Sequence, residues 1–142
     1  MIRHLLRDTQ GSLAVEFALI GPTFIAMMLG VFQIGIGMQN YNALRSVGSD
    51  VMRYAVVNYQ TNNDLTNTQV RDYARSIAVN SPYLLESSRL AVSVDSVTTS
   101  RVAGTFEKTL TLTYSVPTAL SIIGFGDFPI SYTQSIFLIN DA

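Results

Sequence analysis

FALIGPTFIAMMLGVFQIGIG, residues 17–37, is the stretch on which the reading of this chain turns. It contains no charged residue, and only Thr23 and Gln33 in it are clearly polar. Glu16 stands at its head, and no further charge appears until Arg45. At 1.5 Å per residue the run makes a helix of about 30 Å, the thickness of a bilayer's hydrocarbon core. A buried helix of a soluble domain rarely needs so long an uncharged run, so a membrane span is expected. Arg3, His4 and Arg7 precede it, and the next basic residue is Arg45. The positive-inside rule therefore predicts a single-pass topology, with the N-terminus cytoplasmic and the C-terminal part outside. A secretory h-region is usually shorter and is followed by a small-x-small cleavage site. No A-x-A site follows here before Gln39 and Asn40, so the run is expected to stay attached.

The rest of the composition agrees. The 142 residues suit one domain, or a small domain with an appendage. They are 48% hydrophobic but only 13% charged, about half the charge of a typical soluble domain. Mean hydropathy is +0.28 and net charge −1. This argues against a disordered chain, and no global field recruits nucleic acid. There is no Cys and one His, His4, so a disulfide framework, a Ser-His-Asp triad and a multi-His metal site are not expected. No phosphate loop surrounds Gly124 and Gly126. Asp95, Glu107 and Asp127 are scattered carboxylates, expected in solvent rather than in catalysis. No enzyme, cofactor, metal site or catalytic residue is predicted.

Glu16 is the odd residue. Taken alone it reads equally as an interfacial carboxylate with no role, since a charge near the bilayer edge can snorkel. Its context is more specific. Arg7-Asp8-Thr9-Gln10-Gly11 is a short basic leader ending in Gly, then come Ser12-Leu13-Ala14-Val15, then Glu16-Phe17 and the apolar run. This arrangement resembles the class III signal of type IV pilin-like proteins. In detail it is most similar to the TadE/TadG-like pseudopilins of the tight-adherence (Tad, or Flp) pilus system, through Gly11, Ala14-Val15-Glu16-Phe17-Ala18-Leu19, Pro22, Gly30 and Arg53-Tyr54-Ala55. The resemblance covers about residues 7–57. Gln33 departs from it, standing where many relatives carry Glu, and Ser12 stands where type IV pilins have Phe.

The resemblance implies a prepilin leader at residues 1–11, cut between Gly11 and Ser12 by a membrane prepilin peptidase. Gly11 lets an extended backbone enter a narrow protease site. Glu16, with Phe17 beside it, is then implied to pair with the new N-terminus of its own or a neighbouring subunit. It further implies a minor pilin, placed in or at the tip of a Tad-type pilus and serving its biogenesis, adhesion or surface sensing. Major Tad pilins are much shorter and almost all helix. The partners implied are the peptidase, other Tad minor pilins, the major pilin, the inner-membrane assembly platform and the lipid bilayer. The location implied is the bacterial inner membrane with a periplasmic head, then the pilus. The alternative is an uncleaved, membrane-anchored binding module.

Gly21-Pro22 predicts a kink or a melted turn, because Pro removes a ladder bond inside a helix. It reads either as a harmless kink or as a joint used on leaving the bilayer. Beyond the span, Asn40, Leu44, Val47, Val51, Tyr54-Ala55 and Asn58 fall at helical spacing, extending one helix from about Leu13 to Gln60 as an amphipathic stem. A second helix is expected at 67–79, capped by Thr66-x-x-Gln69 and ended by Ser81-Pro82. Alternation around Leu90-Val94, Phe106-Val116 and Ile130-Leu138 predicts three antiparallel strands. The expected fold is α+β: a leader (1–11), a transmembrane and stem helix (12–60), and a small head (61–142), a pilin-like lollipop. Residues 117–129 carry Leu120, Ile122, Ile123, Phe125 and Phe128, too apolar for an ordinary loop. They either tuck under the sheet or form a subunit-contact patch.

Overall fold

The computed structural model describes residues 9–118, 124 and 126–139, with side chains from residue 13 onward. One helix, α1 (Thr9–Gln60), runs for 52 residues, about 78 Å. A second, α2 (Asn67–Val79), follows, then a 3₁₀ turn at Ser87–Arg89. Three strands close the chain: β1 (Leu90–Val97), β2 (Thr105–Val116) and β3 (Phe128–Ile139). They form one antiparallel sheet in the order β1-β2-β3. Leu90 stands opposite Tyr114, and Val116 opposite Phe128.

One face of the sheet is covered by the second half of α1 and by α2. Helical spacing on α1 delivers Leu44, Val47, Val51 and Ala55, and α2 delivers Val70, Ala74 and Ala78. Strand alternation delivers Leu90 and Val94, then Leu110, Leu112, Tyr114 and Val116, then Ile136 and Leu138. Leu44, Leu110, Leu112 and Ile136 have no exposed surface. Burial of each such side chain stabilises the fold by about 1.5–3 kcal/mol. Tyr54 of α1 stacks on Tyr73 of α2 at 3.7 Å between centroids. The predicted cap is present: Thr66 Oγ1 accepts from the Gln69 N–H at 3.2 Å, and Gln69 Oε1 accepts from the Thr66 N–H at 2.8 Å. The result is an α+β head on a helical stem, as the alternation and the helical spacing predict.

Two expectations for β2 need correction. Phe106 is 53% exposed, while Glu107 is 3% exposed. Phe106 does face the helix side, but α1 ends at Gln60 and leaves the sheet's distal corner open. Glu107 is not solvated as expected. Arg101, in the β1–β2 connection, donates to it from its backbone N–H at 2.9 Å and from Nε at 2.8 Å. Arg101 also donates to Ser135 Oγ and lies over the Phe137 ring, which roofs the pair.

Those donors hold the Glu107 carboxyl below the ordinary glutamate value of 4.5. The charged form is therefore favoured by the fold. Its contribution is complete above that value and is lost as pH falls below it, through the lowered one. Glu107→Gln is expected to lower the Tm by about 5 °C at neutral pH and to flatten the acid limb of the stability curve. Thermal unfolding of both proteins between pH 2 and 7 checks this. Equal acid limbs would refute the assignment.

Candidate functional site

The described part of α1 starts at Thr9, ahead of the expected start near Leu13, so Gly11 and Ser12 are helical. Gly11 weakens the helix there, since Gly is about 1 kcal/mol worse than Ala inside one. Ser12 and Glu16 are four residues apart, one turn along the same face. Side chains lean toward the N-terminus of their helix, so Glu16 leans toward Ser12.

No residue from 13 to 32 is buried by the rest of the chain. Phe17 is 78% exposed, and Leu19, Ile20, Phe24, Met27, Val31 and Phe32 are exposed with it. Among the described residues, α1 is the one helix long and apolar enough to cross a membrane.

The melted turn expected at Gly21-Pro22 is absent: helix runs through both residues. Pro22 offers no N–H to the Ala18 carbonyl, so one ladder bond is missing. Helix on both sides carries the chain past that gap. Thr23 Oγ1 donates back to the Leu19 carbonyl at 3.3 Å, a bond that does not interrupt the ladder. The Phe17 ring lies one turn below Gly21, its Cε1 3.8 Å from where a Cβ would stand.

The head meets α1 at Gln33, which is 7% exposed. Its Nε2 donates to the Pro117 carbonyl at 2.9 Å. An ionised Glu has no donor for that carbonyl, so Gln rather than Glu suits this contact. One turn on, Gly37 faces the Phe128 ring, with Cζ 3.3 Å from a Cβ position. At Gly48 the approach is closer still, Tyr132 Cε1 lying 2.7 Å from that position. Phe128 therefore packs on the helix. The other four patch residues, Leu120, Ile122, Ile123 and Phe125, lie outside the described residues, as do residues 1–8 of the leader.

Above this junction is a polar hollow lined by Asn42, Arg45, Ser46, Ser49, Asp50 and Tyr83. The Tyr83 hydroxyl donates to Asp50 Oδ2 at 2.8 Å. Burial and this carboxylate push the Tyr83 phenol upward, so it stays a donor. A smaller cavity of about 210 Å³ lies at the distal end, beside Tyr59, Phe106 and Lys108. Lys108 Nζ is occupied there by the Leu65 carbonyl at 2.6 Å.

The segment that carries the exposed helix, Glu16 and the head-docking stripe is also the segment with known counterparts. Residues 11–53 match the family model of TadE-like proteins. The chain carries a TadE-like module. The match begins on Gly11 and ends on Arg53, so the TadE-like segment includes the docking residues Leu44, Val47, Gly48 and Val51 and stops short of the head. A TadE-like match over this segment implies association with a Tad pilus, and the apolar helix fits a membrane anchor. No curated protein and no solved structure matches the chain.

Sequence reasoning singled out Glu16, Phe17, Gly21 and Pro22, and all four lie in the apolar part of α1. It missed Gln33, Gly37 and Gly48 as docking positions. Their spacing of four and eleven residues returns to one helical face, but nothing in the sequence says what that face meets.

Proposed function

We propose that this chain is a minor pilin of a Tad-type pilus, made as a precursor and cut between Gly11 and Ser12 by a prepilin peptidase on the cytoplasmic face. Residues 17–37 hold it in the inner membrane with the head in the periplasm. It then leaves the bilayer to join the filament or its tip, in contact with other minor pilins, the major pilin and the assembly platform. There it serves pilus biogenesis, adhesion or surface sensing. The observation that supports this reading is the span of the TadE-like match, which begins on Gly11 and takes in Glu16 and the exposed apolar stretch of α1.

Processing leaves a cationic amine on Ser12, since free α-amino groups titrate near 8. Glu16, one turn away, is the carboxylate placed to neutralise it. Pro22, whose missing N–H makes this the weakest point of the ladder, is the joint at which the helix gives when it leaves the membrane.

Intact mass and N-terminal sequencing of the chain from its native membrane, with and without the peptidase, test this. The expected chain begins at Ser12 and depends on the peptidase. A chain still beginning at Met1 with the peptidase present would leave an uncleaved, membrane-anchored binding module.

A further inference from the structure

We propose that the base of the head is immersed in the outer leaflet, where Pro117, Phe128 and Pro129 form a second lipid-contacting surface beside the span. This rests on the membrane anchoring proposed above. Two boundaries overlap on α1. From outside, the head reaches down to Gln33, whose Nε2 donates to the Pro117 carbonyl at 2.9 Å, and to Gly37, which faces the Phe128 ring. From inside, the exposed apolar surface of α1 does not stop at Gln33. Ile34 is 65% exposed and Met38 63%, although both stand above it.

A bilayer ending below Gln33 would leave Ile34 and Met38 in water. One ending near Met38 covers both, in keeping with a run that closes at Gly37. It also brings Tyr41, 43% exposed and one turn above Gly37, to the interface where aromatic residues collect. Gln33 then lies one turn inside the hydrocarbon, about 6 Å below its edge. Its bond to the Pro117 carbonyl holds the lowest part of the head at that depth.

The base suits that depth. In hydrocarbon a backbone donor with no partner is costly. Pro117 and Pro129 are both exposed, and neither has an N–H to leave bare. The Thr118 N–H donates to Asp127 Oδ1 at 3.1 Å. The Pro117 carbonyl and the Gln33 amide satisfy each other. The Asp127 carboxylate is paired with Arg89. The described part of the base therefore offers lipid two proline rings and a half-buried phenylalanine, with the charge beside them already paired.

The chain has no Cys, so a single-cysteine variant takes a bimane fluorophore at one place. The test places it in turn at Ile25, Met38, Thr118, Pro129, Thr133 and Val102 of the full chain, in phosphatidylethanolamine–phosphatidylglycerol nanodiscs. Quenching is read from lipids carrying a doxyl group high on the acyl chain or near its middle, and from iodide in the water. Ile25 is expected to be quenched by the deep doxyl lipid, and Met38 and Thr118 by the shallow one. Thr118→Cys keeps the backbone N–H that Asp127 accepts. Shallow-doxyl quenching is expected to fall about threefold from Pro129 to Thr133, because β3 rises about 13 Å between them. Val102, in the β1–β2 connection at the far end of the sheet, is expected to answer to iodide alone.

Iodide quenching at Met38, Thr118 and Pro129, with Ile25 still quenched from the lipid, would set the bilayer edge below the head. That would overturn the immersion and leave the anchor intact. Lipid quenching at Met38 with iodide quenching at Thr118 and Pro129 would overturn it in favour of a head that stands off the leaflet. Thr118 and Pro129 shielded from both quenchers would overturn it in favour of cover by protein. Loss of lipid quenching at Ile25 would overturn the anchor itself.

Discussion

Gly48→Ala is expected to destabilise the protein, although the same change in an exposed helix stabilises it by about 1 kcal/mol. The reason is the sheet. A methyl group at Gly48 would stand 2.7 Å from Tyr132 Cε1, a distance that real Cβ atoms essentially never show, and 3.1 Å from Cδ1, which is tight. The ring cannot swing away cheaply. Its hydroxyl donates to Gln134 Oε1 at 2.7 Å, and it makes a T-shaped contact with Tyr41 at 6.0 Å between centroids. Gln134 is in turn held by its bond to Met52 Sδ. Overpacking of this kind costs about 1–3 kcal/mol, which outweighs the gain in helix propensity. A net loss of about 1 kcal/mol is expected for Gly48→Ala, and about 3 kcal/mol for Gly48→Leu. Thermal unfolding in detergent, followed through the tyrosine near-ultraviolet signal, measures both. Tyr132→Ala supplies the control: in that background Gly48→Ala should become neutral or stabilising. Gly48→Ala that stabilises the unaltered protein would show that the helix does not seat against β3 as described.

Glu16→Ala is expected to leave processing at Gly11 intact and to reduce incorporation of the mature chain into pili by at least about tenfold. On the proposed reading the two effects separate, because the scissile bond precedes Ser12 and the pairing proposed for Glu16 needs the Ser12 amine. At 4 Å and an effective dielectric of 20, such a pair is worth roughly 4 kcal/mol before desolvation is subtracted. Tenfold corresponds to 1.4 kcal/mol, so a third of that energy surviving desolvation suffices. Comparing membrane-bound and sheared filament fractions by immunoblot, beside the N-terminal sequence of each, makes the measurement. Glu16→Asp should retain part of the incorporation and Glu16→Gln little of it. Incorporation of Glu16→Ala at the normal level would remove the pairing from the mechanism.

The elements of this fold were legible because each has a strong local cause. The apolar run is long and uncharged, and α1 passes through all of it as one continuous helix. Thr66 and Gln69 satisfy each other's backbone donors within four residues, so the start of α2 is written locally. Leu110, Leu112 and Tyr114 alternate with threonines because one face of a strand is buried and the other is not. Sequence periodicity carries all of this, since it reports which side of an element is dry.

Glu107, Gln33 and Gly48 carry no such local signal. Glu107 alternates like a solvated residue, and its burial comes from Arg101, six residues away in a connection, and from Ser135 on another strand. Gln33 reads as a polar blemish in a membrane helix until Pro117, 84 residues on, supplies the carbonyl it donates to. Gly48 reads as a weak point in a helix until Tyr132 occupies the space beside it. Patterns of burial repeat along the chain and can be counted there. Pairings between specific atoms far apart in the chain leave no period, and they exist only once the sheet lies against the stem.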